Sequence, residues 1–184
     1  MEAFVLKRIA ESFKELKKPA TLAITALMVA VGVVLHSFAT IPISTVLMFK
    51  WAFLPMAVVA MLYGPVPAAI CGGLIDFIST LILPKTGGGF FFGITLCVVA
   101  SGFIYGLFLY KTEKIILNVV LSTAANFVLV TMLMTTAVLS INYGSEFMTV
   151  LLQRFPKALL LPAEIILLIP TLKMLKKRLK NFRL

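Results

Sequence analysis

The amino-acid sequence predicts an all-α integral membrane protein with six transmembrane helices and almost no water-soluble domain. Of its 184 residues, 61% are hydrophobic and 13% are charged, whereas soluble domains are usually about 25% charged. The mean hydropathy is +1.08, and the length suits six or seven crossings of roughly 20 apolar residues each. Basic residues cluster at both ends of the chain, which favours an even number of crossings.

The segment 1–18 is predicted to be an amphipathic helix that lies in the cytoplasmic interface of the membrane. Its apolar residues recur at helical spacing: Leu6, Ile9, Phe13 and Leu16. Charged residues lie between them, and this combination is typical of a helix at a membrane surface. Pro19 then begins a new helix, because proline fits the first turn of a helix but not its interior.

Six apolar runs follow, and they predict a transmembrane domain over 19–175 with a basic cytoplasmic tail over 176–184. The spans are predicted at 20–38, 47–63, 66–83, 90–110, 115–139 and 147–174. Gly64-Pro65 predicts a tight turn between the second and third spans, since both residue types favour turns.

The orientation follows from the placing of the basic residues. Five precede the first span, two lie between the fourth and fifth spans, and six lie in the last twelve residues. Only Lys50 and Lys85 belong to loops on the other side, so we expect both termini to be cytoplasmic. Basic residues that flank apolar spans favour anionic lipid over nucleic acid as the partner of this charge.

Four ionisable residues lie inside the predicted spans, where each is costly unless it is paired or faces a cavity. Three of them, Arg154, Lys157 and Glu164, share one face of the sixth helix at 100° per residue. Two interpretations stay open. Either the two cations bind a carboxylate of a ligand, or they extend to the lipid headgroups while Glu164 pairs within the bundle.

Asp76, the fourth ionisable residue, lies on a stripe of small and polar residues in the third span. The stripe consists of Ala69, Gly72, Gly73, Asp76, Ser79 and Thr80. Such a face allows close helix packing and keeps the carboxylate away from lipid. The carboxylate accepts hydrogen bonds either from an amino-substituted ring or from a neighbouring helix, and both interpretations remain open.

Aromatic residues cluster at the predicted outer ends of the spans, beside the run Thr86-Gly87-Gly88-Gly89. The cluster consists of Phe49, Lys50, Trp51, Phe53, Phe90, Phe91 and Phe92. One interpretation is an aromatic belt at the membrane interface. The other is a set of stacking surfaces beneath a mobile lid, which accounts better for three consecutive glycines. The ligand-binding candidates in this region are Lys50, Trp51, Thr86, Gly88, Phe90 and Phe92.

The sequence contains no motif of an enzyme: no P-loop, no HExxH and no G-x-S-x-G. Cys71 and Cys97 lie in apolar runs without CxxC spacing, and His36 is the only histidine. We therefore predict no enzyme activity, no metal site and no cofactor. If the protein drives uptake, the energy comes from a partner.

Several segments, taken together, are similar to one known family. They are Phe53-Leu54-Pro55, Met61-Leu62-Tyr63-Gly64-Pro65, Gly72-Gly73-Leu74-Ile75-Asp76, Gly88-Gly89-Phe90-Phe91-Phe92-Gly93-Ile94-Thr95-Leu96, Ile104-Tyr105-Gly106, Arg154-Phe155-Pro156-Lys157 and Pro162-Ala163-Glu164. In order and spacing, from about residue 20 to 175, the chain resembles the folate-type S components of energy-coupling factor (ECF) vitamin transporters.

The resemblance implies a six-helix vitamin-binding subunit in the cytoplasmic membrane of a bacterium. Its pocket would lie near the extracellular side, closed by the loops after spans 1, 3 and 5. Its partners would be a coupling membrane protein and two ATPases. The family docks on the coupling protein through an Ala-x-x-x-Ala face, which Ala26 and Ala30 match here. Ala23 lies on the same helical face.

The resemblance favours folate as the vitamin. The aromatic cluster would stack the pterin and the aromatic spacer, Asp76 would accept hydrogen bonds from the pterin amino group, and Arg154 or Lys157 would hold the glutamate tail. Met56 stands where the family has a polar residue, and the Phe-Phe-Gly-Ile-Thr-Leu block also departs from its pattern. A pantothenate-binding subunit is therefore the nearest alternative. A membrane enzyme and a scaffold subunit without a ligand are alternatives from other classes.

Overall fold

The computed structural model describes residues 2–42, 48–49, 51–82, 91–144 and 146–182. The first half of the chain contains the helices α1 (Glu2–Leu16), α2 (Pro19–Phe38), α3 (Phe53–Tyr63), α4 (Pro65–Ile82) and α5 (Phe92–Leu109). Between α2 and α3, the short strands β1 (Ile41–Pro42) and β2 (Met48–Phe49) pair antiparallel, with Ile41 opposite Phe49.

The second half of the chain changes helix type within each of its two passes. The first pass runs through α6 (Ile115–Ala125), a π-helix (Asn126–Met134) and α7 (Thr135–Tyr143). The second pass runs through α8 (Phe147–Arg154), a 3₁₀-helix (Phe155–Leu160) and α9 (Leu161–Phe182). Both changes alter the number of residues per turn and hence the direction in which the following side chains point.

Five helical runs among the described residues are long and apolar enough to cross a membrane. They are Pro19–Phe38, Pro65–Ile82, Phe92–Leu109, Ile115–Asn142 and Phe147–Arg178. The first, third and fourth predicted spans agree with α2, α4 and α5 to within two residues at each end. The prediction of several apolar membrane helices is therefore confirmed.

The predicted second span, over 47–63, begins too early. The helix α3 begins at Phe53 and has 11 residues, about 16 Å of helix. Met48–Phe49 forms a strand instead. The reason is that a short apolar run does not distinguish a strand from a helix, so hydropathy assigned both segments to one helix.

The turns at one end of the bundle are held together by α1. Ser12 Oγ contacts both sides of the predicted turn at Gly64-Pro65, because it donates to Tyr63 O at 2.9 Å and accepts from Val66 N at 3.1 Å. Lys111, in the turn between α5 and α6, forms an ion pair with Glu11 at 2.7 Å. Lys176 Nζ donates to Thr112 O at 3.0 Å. We refer to this end as the α1 end, and the chain passes back and forth between it and the opposite end.

Glycines at the helix interfaces bring α4 and α5 close together. Gly102 lies against the backbone of Ala68, and Gly106 lies against the backbone of Pro65, so tightly that a side chain at either position would overlap those atoms. Small residues promote helix association in membranes in this way. Around this contact lies a core that includes Ile75, Tyr105 and Leu172.

Candidate functional site

Asp76 is buried between α4 and α5, with 6% of its surface exposed. The Thr95 hydroxyl of α5 donates to Asp76 Oδ2 at 2.8 Å. The neighbouring glycine face permits this approach, because a side chain at Gly72 would lie 2.7 Å from Met56 Sδ and 3.1 Å from Val98 O. Asp76 thus has a partner on a neighbouring helix, as one of the two interpretations of the sequence expected. A hydrogen bond to one oxygen leaves acceptor sites on a carboxylate.

Arg154, the last residue of α8, is partly buried. Its guanidinium is within electrostatic range of the buried Cys97 of α5, and Asp76 is within range of the same sulfur. Thr135 of α7 also lies near that sulfur. The structure therefore brings an acid, a cation and two small polar groups from four passes around one point of α5.

Lys157 and Glu164 follow Arg154 on the same pass. The sequence predicted one continuous α-helix here, but the turn after Arg154 is not α-helical. Residues Phe155–Leu160 form a 3₁₀-helix, because the ring of Pro156 would collide with the carbonyl four residues back in a continuous α-helix. Side chains three residues apart eclipse one another in this geometry, so Arg154 and Lys157 remain on one face. Glu164 lies about 40° away from them and about 12 Å beyond Lys157.

Glu164 belongs to a polar group deeper in the bundle. It lies within electrostatic range of Lys157 on one side and of Tyr105 on the other. Tyr105 is buried, and its hydroxyl lies near Thr123 of α6. The acid therefore connects the cationic face of the last pass with polar residues of α5 and α6.

Two buried polar residues in this region were not predicted as ligand-binding residues, although Ser79 belongs to the stripe that contains Asp76. Asn126 donates from Nδ2 to Ser122 O at 3.0 Å, while its Oδ1 has no hydrogen-bond partner within the described ranges. Ser79 Oγ, one turn from Asp76, also lacks a partner there. Asp76 lies eleven residues after the start of α4, and Asn126 lies eleven residues after the start of α6. Both are therefore about 16 Å from the α1 end. Polar residue types within apolar spans are the signal that could have identified both.

The aromatic candidates are only partly described. Trp51 is half-buried and packs against the core. Phe92, at the start of α5, is 70% exposed, so it does not meet Asp76 or Arg154 in this arrangement. Lys50, Thr86, Gly88 and Phe90 lie outside the described residues. The assignment of all six to a ligand site stays a prediction.

The helix α2 presents two different faces. Thr21, Thr25, Val29 and Gly32 are buried against the bundle. The three alanines proposed for docking, Ala23, Ala26 and Ala30, are all exposed. Internal packing of that face would have buried them, so the alanine stripe is available to a helix from outside the subunit.

An open crevice of about 590 Å³ lies at the α1 end, away from this polar group. Exposed apolar residues of α6, including Ile116 and Leu117, form its wall, with Lys114 and Lys173 at its rim. None of the predicted ligand-binding residues lines it. The region around Asp76 and Arg154 therefore remains the candidate site.

Comparison with known proteins gives concordant results. The family described as "ECF transporter, substrate-specific component" matches residues 20–172. The folate transporter FolT of Clostridium novyi (strain NT) is 29% identical over 163 residues, which are 88% of this chain and 93% of that protein. The folate transporter FolT of Leuconostoc mesenteroides subsp. mesenteroides is 32% identical over 71 residues, which are 39% of this chain and 37% of that protein.

A solved structure shares the fold as well. The crystal structure of FolT bound with folic acid superposes with a TM-score of 0.73 at 29% sequence identity. The match covers 83% of this chain and 92% of that chain. The similarity therefore extends over most of the bundle and not over one motif.

Proposed function

This chain belongs to the substrate-specific components of ECF transporters, and we propose that it is the subunit that binds folate. Membership of the family makes it a transporter subunit and not an enzyme, as the sequence predicted. The observation that supports folate as the ligand is the similarity to FolT over 93% of that protein's length. A solved FolT structure with bound folic acid also shares the fold.

The polar group around α5 supports this assignment through its chemistry. Folate carries amino and ring N–H donors on the pterin and carboxylates on the glutamate tail. Asp76 is an acceptor for the pterin, and the Arg154 fork with Lys157 suits a carboxylate. The unpartnered oxygens of Asn126 and Ser79 offer further acceptors at a similar depth. Trp51, Phe90 and Phe92 are proposed to contact the rings, and Lys50, Thr86, Gly88 and Glu164 complete the proposed site.

The topology follows from the charge distribution. We place six spans in the bacterial cytoplasmic membrane, with α3 and the segment before it as the second, and both termini in the cytoplasm. The α1 end carries the basic residues of both termini and of the turn 110–114, and positive residues are retained on the cytoplasmic side. The ligand site then opens toward the extracellular side.

The partners are proposed from the family and from the surface of α2. A coupling membrane protein and two ATPases would supply the energy, since the chain carries no nucleotide-binding motif. The exposed stripe of Ala23, Ala26 and Ala30 is the proposed docking face, because small residues let a partner helix approach closely. Ala26→Trp with Ala30→Trp should preserve folate binding by the isolated subunit and abolish ATP-dependent uptake by the reconstituted complex. Loss of folate binding in this variant would assign the stripe to internal packing.

The ligand itself is tested by mass spectrometry of the small molecule that copurifies with the detergent-solubilised protein, followed by calorimetry. Folate is expected to copurify and to bind at submicromolar concentration without ATP. Pantothenate serves as the matched control, because it has one carboxylate and no ring to stack. Binding of pantothenate without folate would overturn the choice of vitamin and leave the family unchanged.

A further inference from the structure

The helix α1 is attached to the bundle along one strip of its surface. Ser12 is completely buried, and its two hydrogen bonds fix it to Tyr63 and Val66. The contact needs glycine at position 64, which has φ +92, and where a side chain would lie 2.8 Å from Ser12 Oγ. Ser12 therefore sets which side of α1 faces the protein.

A second set of contacts prevents α1 from rolling about its axis. Arg8 Nη1 donates to Leu107 O near the end of α5. Glu11 forms its ion pair with Lys111 in the turn that follows. Because these contacts lie to one side of Ser12, they fix the directions of all the remaining side chains of the helix.

With this orientation, the apolar and basic residues of α1 point to different sides. A step of 100° per residue places Leu6 and Phe13 about 110° from Ser12 on one side, and Lys7 and Lys14 about 150° from it on the other. Leu6 is 65% exposed and Phe13 is 56% exposed. Lys7 and Lys14 are also exposed. Two large apolar side chains thus lie on the surface, beside a basic ridge.

The position of α1 puts these side chains at the edge of the membrane. The apolar helix α2 begins at Pro19, soon after α1 ends, and its 20 residues span about 30 Å, the thickness of the hydrocarbon core. Pro19 therefore lies near one boundary of that core. Tyr63 at the end of α3 and Val66 in the first turn of α4 lie at the same level, since Ser12 is hydrogen-bonded to both.

We propose that α1 binds the anionic phospholipids of the leaflet at the α1 end, with Leu6 and Phe13 inserted among the upper acyl chains. Lys7 and Lys14 contact the lipid phosphates. Two acids of the helix, Glu11 and Glu15, do not oppose this contact, because Glu11 pairs with Lys111 at 2.7 Å and Glu15 with Lys18 at 2.8 Å. An exposed apolar side next to basic residues is the pattern of helices that lie in a membrane interface.

The lipid contact has a structural role in this arrangement. The same helix that meets the lipid holds the turn between α3 and α4 and the turn between α5 and α6. Anionic lipid therefore strengthens the connection among four membrane helices at the α1 end. This inference rests on the proposed membrane topology and not on the identity of the vitamin, and the family match begins after α1, at residue 20.

Hydrogen–deuterium exchange tests the proposal on the full chain in nanodiscs. The amides of α1 should exchange several-fold more slowly in discs that contain phosphatidylglycerol than in discs of phosphatidylcholine alone. Lys7→Gln with Lys14→Gln should remove this difference. The matched control is Lys177→Gln with Arg178→Gln, which loses the same charge from exposed positions of α9 and should keep it. Folate affinity should be unchanged in both variants, so a failure here is distinct from failure of the proposed ligand.

A fluorescent probe tests the insertion of the apolar side. The dye is attached to Phe13→Cys or, as the control, to Lys14→Cys, and the native cysteines are buried. A nitroxide on the upper acyl chain should quench the dye at position 13 more strongly, and aqueous iodide should quench the dye at position 14 more strongly. Equal quenching at both positions, with no effect of phosphatidylglycerol on exchange, would overturn the proposal. Protection of α1 only after addition of the coupling protein would also overturn it and assign the face to a protein partner.

Discussion

The two ends of the bundle hold their polar side chains in different ways. At the α1 end, Ser12 uses both its donor and its acceptor on backbone groups, and Asn118 donates to Phe108 O at 2.8 Å. From the middle of the bundle to the opposite end, Asn126 and Ser79 keep buried oxygens without partners within the described ranges. A buried unsatisfied polar group costs about 1–3 kcal/mol. Thr25 and Thr123, in the half nearer the α1 end, also keep buried hydroxyls without partners among the described residues, so the contrast is one of degree. The turns at the α1 end are tied by side-chain hydrogen bonds, whereas a ligand at the proposed site would offset the cost at Asn126 and Ser79.

The largest effect on affinity is expected at Arg154. If its guanidinium holds a folate carboxylate, Arg154→Ala should weaken binding by about 1.5–3 kcal/mol, the contribution of a charge-assisted hydrogen bond, or about 10- to 150-fold. Calorimetry on purified protein measures the change, and thermal unfolding should be little altered. Arg178→Ala, at an exposed position of α9, is the control and should bind normally. If well-folded Arg154→Ala bound folate with wild-type affinity, the alternative interpretation, in which Arg154 extends to the lipid headgroups, would be favoured.

At the α1 end, we expect a large effect on stability and none on affinity. Gly106→Leu places a side chain against the Pro65 backbone, and overpacking of this kind costs about 1–3 kcal/mol. The midpoint of thermal unfolding should fall, while the folded fraction binds folate as before. Ala124→Leu adds similar bulk at an exposed position of α6 and should change neither quantity. A parallel loss of affinity in Gly106→Leu would show that the two ends are not independent.

The pair Asn126 and Asn118 compares the two ends with the same side chain. Asn126→Leu removes an oxygen that lacks a partner and a donation to Ser122 O, a carbonyl that keeps the backbone N–H of residue 126. Stability should therefore change little, while folate affinity falls by about 1 kcal/mol, one ordinary hydrogen bond. Asn118→Leu removes donations to Phe108 O and Thr112 Oγ1, and it should lower stability while leaving affinity unchanged. Thermal unfolding and calorimetry on both variants make the measurement. If Asn126→Leu lowered only stability and Asn118→Leu lowered only folate affinity, the proposed roles of the two ends would be wrong.

The smallest effect concerns pH and the attachment of α1. The hydrogen bond from Lys111 lowers the pKa of Glu11, and the same bond raises the pKa of Lys111. The carboxylate therefore stabilises the attachment above its unfolded-state pKa, and this contribution is lost as the pH falls through the lowered folded-state pKa. The lysine's contribution is lost only when the pH rises through its own raised pKa. Hydrogen exchange of α1 should thus accelerate slightly as the pH falls below the ordinary pKa of a glutamate, after correction for the intrinsic rate, and Glu11→Gln should not show this change.

The pattern of the sequence was sufficient for much of the fold and for part of the site. The spans of α2, α4 and α5 and the turn at Gly64-Pro65 follow from apolar runs and turn residues. The buried position of Asp76 follows from the glycines beside it. The partial burial of Arg154 and Glu164 on one pass also agrees with their spacing, although the turn between them is 3₁₀. These features depend on residues close together in the chain.

Other features depend on contacts that no local pattern contains. Ser12 is one of several polar residues in a charged helix, and only its approach to Tyr63, 51 residues away, distinguishes it. Thr95 became part of the site through its bond to Asp76 on another helix. Helix type is equally hard to predict, because a π-turn and an α-turn can carry the same apolar residues and differ only in the carbonyl that each N–H meets.

The π-helix has a consequence for the phase of α7 relative to α6. The backbone N–H of Thr135 bonds Val130 O, five residues back, so more residues are wound into each turn than in an α-helix. Deletion of one residue within 126–134 would let the winding approach that of an α-helix and would turn Thr135 relative to Cys97 without breaking the span. In an alignment with relatives, a one-residue gap in this stretch would therefore mark a change in winding, and not the loss of a piece of the membrane helix.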